Sequence, residues 1–303
     1  RCRSMAINTM YCGFPLGAAG GGVISSWLIP NYGWHSVLLA GAIAPLALTV
    51  LLVLFLPESV KYLVHRGKGV AQVKRIAQRF MSGSLEQVTQ FYLDEDRVTV
   101  KKGSVAQLFS MPWLPGTLML WMTYFMGLVI YDVLLSWMPT LMLGMGYPLA
   151  ESAWLTSLFT FGGTAGILLA GWLMDRWEAH KVVSLGFILT MLFALALGFE
   201  HNHIILFGAL IFLMGITMNG AQSGLQTLAA TFYPTHCRAT GIAWMQGVGR
   251  FGGVAGTMMS AQLLSLQWQA DSILMFLSLP ALVAAAATIY KLQRYKPHAL
   301  TVA

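Results

Sequence analysis

The sequence has 303 residues and a formal net charge of +7, with 57% hydrophobic and only 10% charged residues. Soluble domains carry about 25% charged residues, so this composition and the mean hydropathy of +0.67 exclude an ordinary soluble protein. The apolar residues are gathered into long uncharged runs. We therefore predict an all-α membrane protein, because a helix satisfies its own backbone hydrogen bonds in lipid.

Eight of these runs are long enough to cross a bilayer, for which about 20 apolar residues are needed. In chain order, we predict spanning helices near 5–29, 36–56, 113–138, 152–174, 182–200, 204–230, 239–264 and 273–291. The long polar stretch 57–110 separates the second helix from the third. Within it, Val70–Phe80 has apolar residues at helical spacing and a basic opposite face, which predicts an amphipathic surface helix.

If the chain crosses the membrane eight times, its loops and termini alternate between the two sides of the membrane. The positions of the basic residues test this number of crossings. Seventeen of the 18 Lys and Arg fall on the side that holds both termini, and the last one is Arg250. The charged residues of the other side are Glu151, Glu200 and Asp271. By the positive-inside rule, both termini are predicted to be cytoplasmic. The net positive charge is then explained by topology and not by binding to nucleic acid.

The chain also matches itself at an offset of 235 residues. The matching pairs are Cys2 and Cys237, Arg3 and Arg238, Ile7 and Ile242, Met10 and Met245, Gly17 and Gly252, and Gly21 and Gly256. The glycines have the small-xxx-small spacing that lets helix backbones approach closely. Two interpretations are open: a repeat with a period of six helices, or two similar packing helices. A six-helix period is typical of transporters built from two parallel halves.

Under the repeat interpretation, four helices are expected to precede Arg1, and the chain lacks an initiator Met. Residues 1–56 are then the last two helices of an N-terminal six-helix bundle, and 57–110 form a cytoplasmic connector. We predict a complete C-terminal bundle over 111–291 and a cytoplasmic tail over 292–303. The chain by itself is expected not to transport, because two helices cannot enclose a cavity with the second half.

Three motifs at helix ends identify a family resemblance: LPESVKYL at 56–63, GWLMDRWEAHK at 171–181, and YPTHCRATG at 233–241 followed by GVGRFGG. They resemble, in turn, the end of the sixth helix, the Gly-x-x-x-Asp-Arg loop and the junction of helices ten and eleven in major facilitator superfamily transporters. The segments RCRSMAINTMYCGFPLGAAGGG at 1–22 and YDVLLSWMPTLM at 131–142 are similar to the aromatic acid:proton symporters.

The resemblance implies a major facilitator fold and import of a benzoate-, hydroxybenzoate- or phenylpropionate-like acid by proton symport with alternating access, in a bacterial inner membrane. Expected partners are a small aromatic carboxylate, the proton and the lipid bilayer. The alternatives are a sugar or other organic-acid porter of the same superfamily, or a truncated membrane scaffold that does not transport. The sequence has no P-loop, Ser-His-Asp or CxxC pattern, so we expect neither enzyme activity nor a cofactor or metal.

Arg250 interrupts an otherwise apolar, glycine-rich helix, about 16 Å beyond Ala239 at about 1.5 Å per residue. A bare guanidinium at that depth is costly and needs a carboxylate, carbonyls or water as partners. In one interpretation Arg250 faces a central cavity and binds a substrate carboxylate through its planar fork, oriented by Gln246 one turn away. In the other, Arg250 is a structural brace between neighbouring helix ends.

Asp132 is the acid inside a predicted span, and Tyr124 and Tyr131 share or flank its face of the helix. An acid in an apolar site can hold a proton, so Asp132 is our candidate for proton coupling. The alternative is a hydrated position near the outer interface. We place Tyr124 and Tyr131 among the residues predicted to bind substrate.

A polar face runs along the helix at 204–230. Asn219, Gln222, Ser223 and Gln226 follow one another at i, i+3, i+4 and i+7. Such a face lines a cavity or meets another polar helix. By the repeat count, the helices at 113–138 and 204–230 are the seventh and tenth of the family, which face the cavity. We therefore add Asn219 and Gln222 to the predicted substrate-binding residues.

Charged residues at the cytoplasmic helix ends form the last predicted site. Asp175, Arg176 and His180 belong to the loop motif, and Arg238 to the junction before the Arg250 helix. The resemblance implies a gating latch, whose charges exchange partners as the two halves move. The alternative is an ordinary charged loop.

Overall fold

The computed structural model describes residues 3–55, 105–111, 113–199 and 203–294, where all regular structure is α-helical. The helices are α1 (Arg3–Tyr11), α2 (Gly13–Tyr32), α3 (Trp34–Phe55), α4 (Val105–Leu108), α5 (Leu114–Ser136), α6 (Met138–Gly144), α7 (Leu149–Met174), α8 (Ala179–Phe199), α9 (Ile204–Phe232), α10 (Thr235–Ser265), α11 (Ala270–Phe276) and α12 (Ser278–Arg294). The amphipathic helix predicted at 70–80, most of the connector and the end of the tail lie outside the described residues.

Helices form at all eight predicted spans, which confirms the all-α membrane fold. Within the described ranges, six segments are long and apolar enough to cross a membrane: Trp34–Phe55, Leu114–Ser136, Trp154–Met174, Ala179–Phe199, Ile204–Phe232 and Ala270–Arg294. The other two predicted spans correspond to α1 with α2 and to α10. Both contain many glycines, and α10 also carries Gln246 and Arg250, so they are less apolar.

Two of the spans are interrupted near the end that is distant from Asp175. The span that begins with α5 breaks at Trp137, and Pro139 occupies the first turn of α6. The last span breaks at Leu277, with Pro280 in the first turn of α12. Proline has no backbone N–H and is tolerated in a first turn, where that donor has no intrahelical partner. The prolines therefore start new helices at these points.

The chain divides into two compact units, Arg1–Gly21 with Gly103–Ala303, and Gly22–Lys102. In the described part of the second unit, α2 passes to α3 at Gly33. Gly33 has φ +75°, a left-handed conformation that glycine adopts without steric cost. The Ser36 hydroxyl donates to the Gly33 carbonyl oxygen at 2.6 Å. The domain boundaries at 56 and 110 stay predictions.

In the first unit, aromatic and polar contacts gather several helix ends together. Trp113 meets Phe232 edge to face, with ring centroids 5.3 Å apart. The Lys291 ammonium lies 3.4 Å from the His180 ring. We call this the Asp175 end of the bundle, because Asp175 follows α7 there. Helices α5, α8 and α10 begin at this end, and α7, α9 and α12 finish at it.

Glycines hold α10 directly against the backbone of α5. A Cβ on Gly252 would overlap the Phe125 carbonyl oxygen, and one on Gly256 would lie 2.7 Å from the carbonyl oxygen of Val129. Close backbone approach at small residues is a main source of helix association in lipid. The matching glycines of the repeat differ, since a Cβ on Gly17 or Gly21 would meet no described atom within 4 Å.

We predict that Gly256→Ala destabilises the bundle. The new Cβ would force α10 away from Val129, and overpacking of this kind costs about 1–3 kcal/mol. The melting temperature of the detergent-purified protein should fall by several degrees. Gly247→Ala is the matched control on the same helix, because its Cβ would meet nothing within 4 Å. Equal melting temperatures for the two variants would refute the packing role of Gly256.

Candidate functional site

A cavity of about 340 Å³ lies between α5, α9 and α10, with Tyr11, Phe14 and Pro15 at its side. The structure brings all six residues predicted to bind substrate, and the candidate for proton coupling, into this one cavity: Arg250, Gln246, Asn219, Gln222, Tyr131, Tyr124 and Asp132. The polar face of α9 therefore lines a cavity, as the sequence predicted.

The two charged residues of the cavity lie on adjacent helices. One carboxylate oxygen of Asp132, on α5, rests against Gly253 of α10. Arg250 is about 22 Å along α10 from Thr235, at about 1.5 Å per residue, and its side chain is exposed to the cavity. Arg250, Asp132 and Tyr131 all line this cavity. Within the described part of the chain, Arg250 forms no ion pair.

Aromatic rings form the apolar part of the cavity wall. The Tyr131 ring is tilted against Phe14, with centroids 6.5 Å apart, and against Phe159 at 6.2 Å. The Tyr124 ring packs on Gly249, where a Cβ would overlap it. Tilted and offset contacts are the geometries that aromatic rings prefer. The wall can therefore accept a further aromatic ring beside these side chains.

A chain of amide hydrogen bonds joins three helices on one side of the cavity. Gln246 Nε2 donates to Gln226 Oε1 at 3.1 Å and to the Tyr11 hydroxyl at 3.2 Å. Both donors of Gln246 are thus engaged, and its free atom, Oε1, is an acceptor. Tyr11 was absent from the predicted site. Tyr11 and Gln246 are 235 residues apart, which is the offset of the proposed repeat, but the repeat alone does not show that the two side chains meet.

Two polar residues of α9 bond to the backbone of their own helix. Asn219 Nδ2 donates to the Gly215 carbonyl oxygen at 3.1 Å, and the Ser223 hydroxyl donates to that of Gly220 at 3.0 Å. Such local bonds satisfy short polar side chains within a helix. Asn219 is also buried against Gly163 of α7.

Gln222 differs from these neighbours. Both polar atoms of its carboxamide are buried, and no described residue forms a hydrogen bond with either of them. The Tyr124 hydroxyl lies within reach of a side-chain hydrogen bond with Gln222, but the two groups are not aligned for one. The carboxamide instead rests against Gly127 of α5, where any Cβ would overlap its oxygen.

At the Asp175 end, Asp175 caps the first helix. Its two carboxylate oxygens accept hydrogen bonds from the backbone N–H groups of Ser4, at 3.0 Å, and Met5, at 3.1 Å. These donors have no partner inside α1, and the N-terminus of a helix favours a negative charge. The neighbouring Arg176 guanidinium lies 4.0 Å above the Trp172 ring. Asp175 thus joins α1 to α7 through the backbone of α1.

The other two predicted gating residues lie at the same end. Arg238 Nε donates to the Tyr233 carbonyl oxygen at 3.3 Å. His180 contacts Lys291, whose side chain is 1% exposed and whose ammonium lies 4.1 Å from the centre of the Phe232 ring. The burial of Lys291 was not predicted from the sequence, because a basic residue in the last turn of a C-terminal helix is usually exposed to solvent.

A larger hollow of about 490 Å³ lies elsewhere, between α7 and α9. Apolar side chains line it, among them Trp154, Leu158 and Phe212. It offers no charged or amide group to a ligand, whereas the smaller cavity combines charges, amides and rings. The smaller cavity is therefore the candidate site.

A protein-family model described as Major Facilitator Superfamily matches residues 1–153 and 146–302. The chain is 44% identical to the 4-hydroxybenzoate transporter PcaK of Acinetobacter baylyi, over 96% of this chain and 64% of the relative. It is 39% identical to the gallate transporter of Pseudomonas putida, over 95% and 64%, and 32% identical to the benzoate transport protein of Acinetobacter baylyi, over 93% and 60%. The chain therefore spans less than two thirds of the length of these relatives. The matches confirm the resemblance seen in the sequence motifs.

We predict that Asp175→Ala loosens the first turn of α1. Loss of a capping side chain costs about 0.5–2 kcal/mol, so hydrogen exchange of the backbone amides at Ser4 and Met5 should accelerate about 2- to 30-fold. Exchange measured by mass spectrometry on peptides that cover α1 would check this.

Asp271→Ala is the control for this measurement, since it removes a carboxylate from the first turn of α11 at the opposite end. It should leave exchange in α1 unchanged. The cap would be disproved by Asp175→Ala exchange rates at Ser4 and Met5 that equal those of the unmodified protein.

Proposed function

Because the chain belongs to the major facilitator superfamily, we propose that it is part of a secondary active transporter that imports an aromatic carboxylic acid by proton symport with alternating access. Arg250 carries this proposal, since its guanidinium has no ion-pair partner among the described residues and lies in a cavity walled by aromatic rings. The names of the relatives, which include transporters of 4-hydroxybenzoate, gallate and benzoate, support the same class of substrate.

The guanidinium needs an anionic partner at this depth in the bilayer. An uncompensated arginine near the middle of a membrane is costly, and such residues mark substrate pathways. Its two parallel N–H donors fit a carboxylate in a bidentate pair. The substrate carboxylate would bind Arg250, and its ring would lie against Tyr131 and Tyr124. Asn219 and Gln246 would shape the cavity around the ring.

Asp132 is the proposed coupling residue because it shares the cavity wall with Arg250. A substrate carboxylate on Arg250 would bring a second negative charge close to Asp132. Neighbouring carboxylates favour a state in which one of them holds a proton. Binding of the substrate and of the proton would then assist each other, which is the requirement for symport.

Asp175, Arg176, His180 and Arg238 are the proposed gating residues at the cytoplasmic face. The bond of Asp175 to α1 would close this face and break when it opens. We propose the bacterial inner membrane as the location, with both termini cytoplasmic, in keeping with the bacterial relatives and the distribution of Lys and Arg. Residues 1–56 would complete an N-terminal bundle and 111–291 would form the C-terminal one.

We predict that Arg250→Gln weakens binding of a benzoate-type acid about 10- to 150-fold, because a charge-assisted bond contributes about 1.5–3 kcal/mol. Arg250→Lys should restore only part of this, since an ammonium lacks the planar fork. Binding of 4-hydroxybenzoate and of its uncharged amide would be measured by calorimetry on the full-length protein. The amide should lose much less affinity than the acid.

Arg294→Gln serves as the control, because Arg294 lies at the exposed end of α12 and bonds to Tyr290. Its affinities should equal those of the unmodified protein. If Arg250→Gln weakened acid and amide equally, Arg250 would be a structural brace. Transport of a sugar or of an aliphatic acid in place of aromatic acids would favour the alternative porters, and binding without any transport would favour a scaffold.

We predict that Asp132→Asn abolishes accumulation of the acid driven by a pH gradient, because the amide cannot release a proton. Exchange of labelled for unlabelled acid across the membrane should persist, since this reaction needs no net proton movement. Both would be measured in proteoliposomes of the full-length protein. Glu151→Gln, at the start of α7, is the control and should keep both reactions. Gradient-driven accumulation by Asp132→Asn would eliminate Asp132 as the coupling residue.

A further inference from the structure

The polar groups of the cavity differ in whether they are already bonded. The donors of Gln246, one donor of Asn219 and the hydroxyl of Ser223 are engaged by protein acceptors. Among the described amides that line the cavity, Gln222 is the one whose oxygen and nitrogen both lack a partner. A buried polar group without a partner is costly, and its presence in a native structure requires an explanation. A ligand that bonds to Gln222 provides that explanation.

The surroundings of Gln222 leave its carboxamide free to reorient. The carboxamide rests on Gly127, a position without a side chain, and not in a pocket of fixed hydrogen-bond partners. Glutamine has staggered rotamers at χ1 and χ2, and a change at either torsion swings the whole carboxamide. Such a change would turn both amide atoms from Gly127 towards the cavity that the residue lines.

We propose that Gln222 recognises a ring hydroxyl group of the substrate, so that the transporter selects hydroxylated aromatic acids over unsubstituted ones. A phenolic hydroxyl both donates and accepts, and it therefore satisfies Oε1 and Nε2 of one carboxamide together. A second carboxylate would bond only to Nε2, and an alkyl group or hydrogen atom would bond to neither. This inference rests on the proposed function, in which the substrate carboxylate binds Arg250.

The depths of the two residues allow one aromatic acid to reach both of them. Gln222 lies about 15 Å from the Phe232 end of α9, and Arg250 about 22 Å from the Thr235 end of α10, at about 1.5 Å per residue. Both of these helix ends are at the Asp175 end of the bundle. The two residues thus differ in depth by about 7 Å along the bundle, a separation that the carboxylate and a hydroxyl of one aromatic acid can span. With the carboxylate on Arg250, a ring hydroxyl would lie within reach of Gln222.

Binding of 4-hydroxybenzoate and benzoate to the full-length protein tests this inference, with and without Gln222→Met, which keeps the side-chain length and removes the amide. The unmodified protein should bind 4-hydroxybenzoate about 5- to 150-fold more tightly than benzoate, the range for leaving a buried polar group unbonded. Gln222→Met should reduce this ratio to within about 2-fold, chiefly by weakening 4-hydroxybenzoate, because the ring hydroxyl then has no carboxamide to bond to, whereas benzoate loses no bond.

Two further variants separate recognition from a general structural effect. Gly127→Ala keeps the amide but occupies its resting place, and it should change the ratio without preventing binding of benzoate. Gln262→Met makes the same change on an exposed part of α10 outside the cavity, and it should leave the ratio unchanged. Correct folding of each variant would be checked by size-exclusion chromatography.

The remaining outcomes overturn the inference in distinguishable ways. If the unmodified protein binds both acids equally, or if Gln222→Met weakens both by the same factor, Gln222 does not read a hydroxyl and the proposed function still stands. An unchanged ratio in Gly127→Ala would contradict the inference, because moving the amide from Gly127 would then have no effect on recognition of the hydroxyl. If the unmodified protein binds neither acid, the proposed function itself fails, and this inference fails with it.

Discussion

The contact between α5 and α10 determines the geometry of the candidate site. Glycines bring the two backbones together, so side chains next to the contact are directed along its edges and into the cavity. Asp132 lies where Gly253 has no side chain, and the Tyr124 ring lies where Gly249 has none. A larger residue at either glycine would displace a cavity residue as well as separate the helices. The same glycines therefore determine both the packing of α5 on α10 and the position of the cavity side chains.

The spanning helices were predictable because lipid imposes a simple rule. An uncharged run of about 20 residues in a membrane has to be a helix, and the distribution of Lys and Arg agrees with the predicted number of crossings. The limits of the helices were less predictable. Helix α10 begins at Thr235, four residues before the predicted start, because the hydrogen-bonded helix includes polar residues that precede the apolar run. The break at Trp137 was indicated only by Pro139.

The cavity residues were predictable for a related reason. Arg250, Asp132 and the amides of α9 are exceptions in apolar helices, and each exception needs a polar environment. The sequence shows which face of a helix is polar, but it does not show which distant residue meets that face. Three features depend on contacts between residues that are distant in the sequence: the two hydrogen bonds of Gln246, the burial of Lys291 and the bond of the Asp175 carboxylate to α1. These features were visible only in the structure.

The cap at the start of α1 has a consequence for how the sequence can vary. Asp175 bonds to backbone N–H groups at positions 4 and 5, and every residue type except proline supplies that donor. The first turn of α1 is thus free to change its side chains without losing the contact. Position 175 has no comparable freedom, since it requires a short side chain with two acceptor oxygens. Natural selection for this interaction would therefore act almost wholly on position 175. The side chains at positions 4 and 5 could vary among related sequences while the contact is kept.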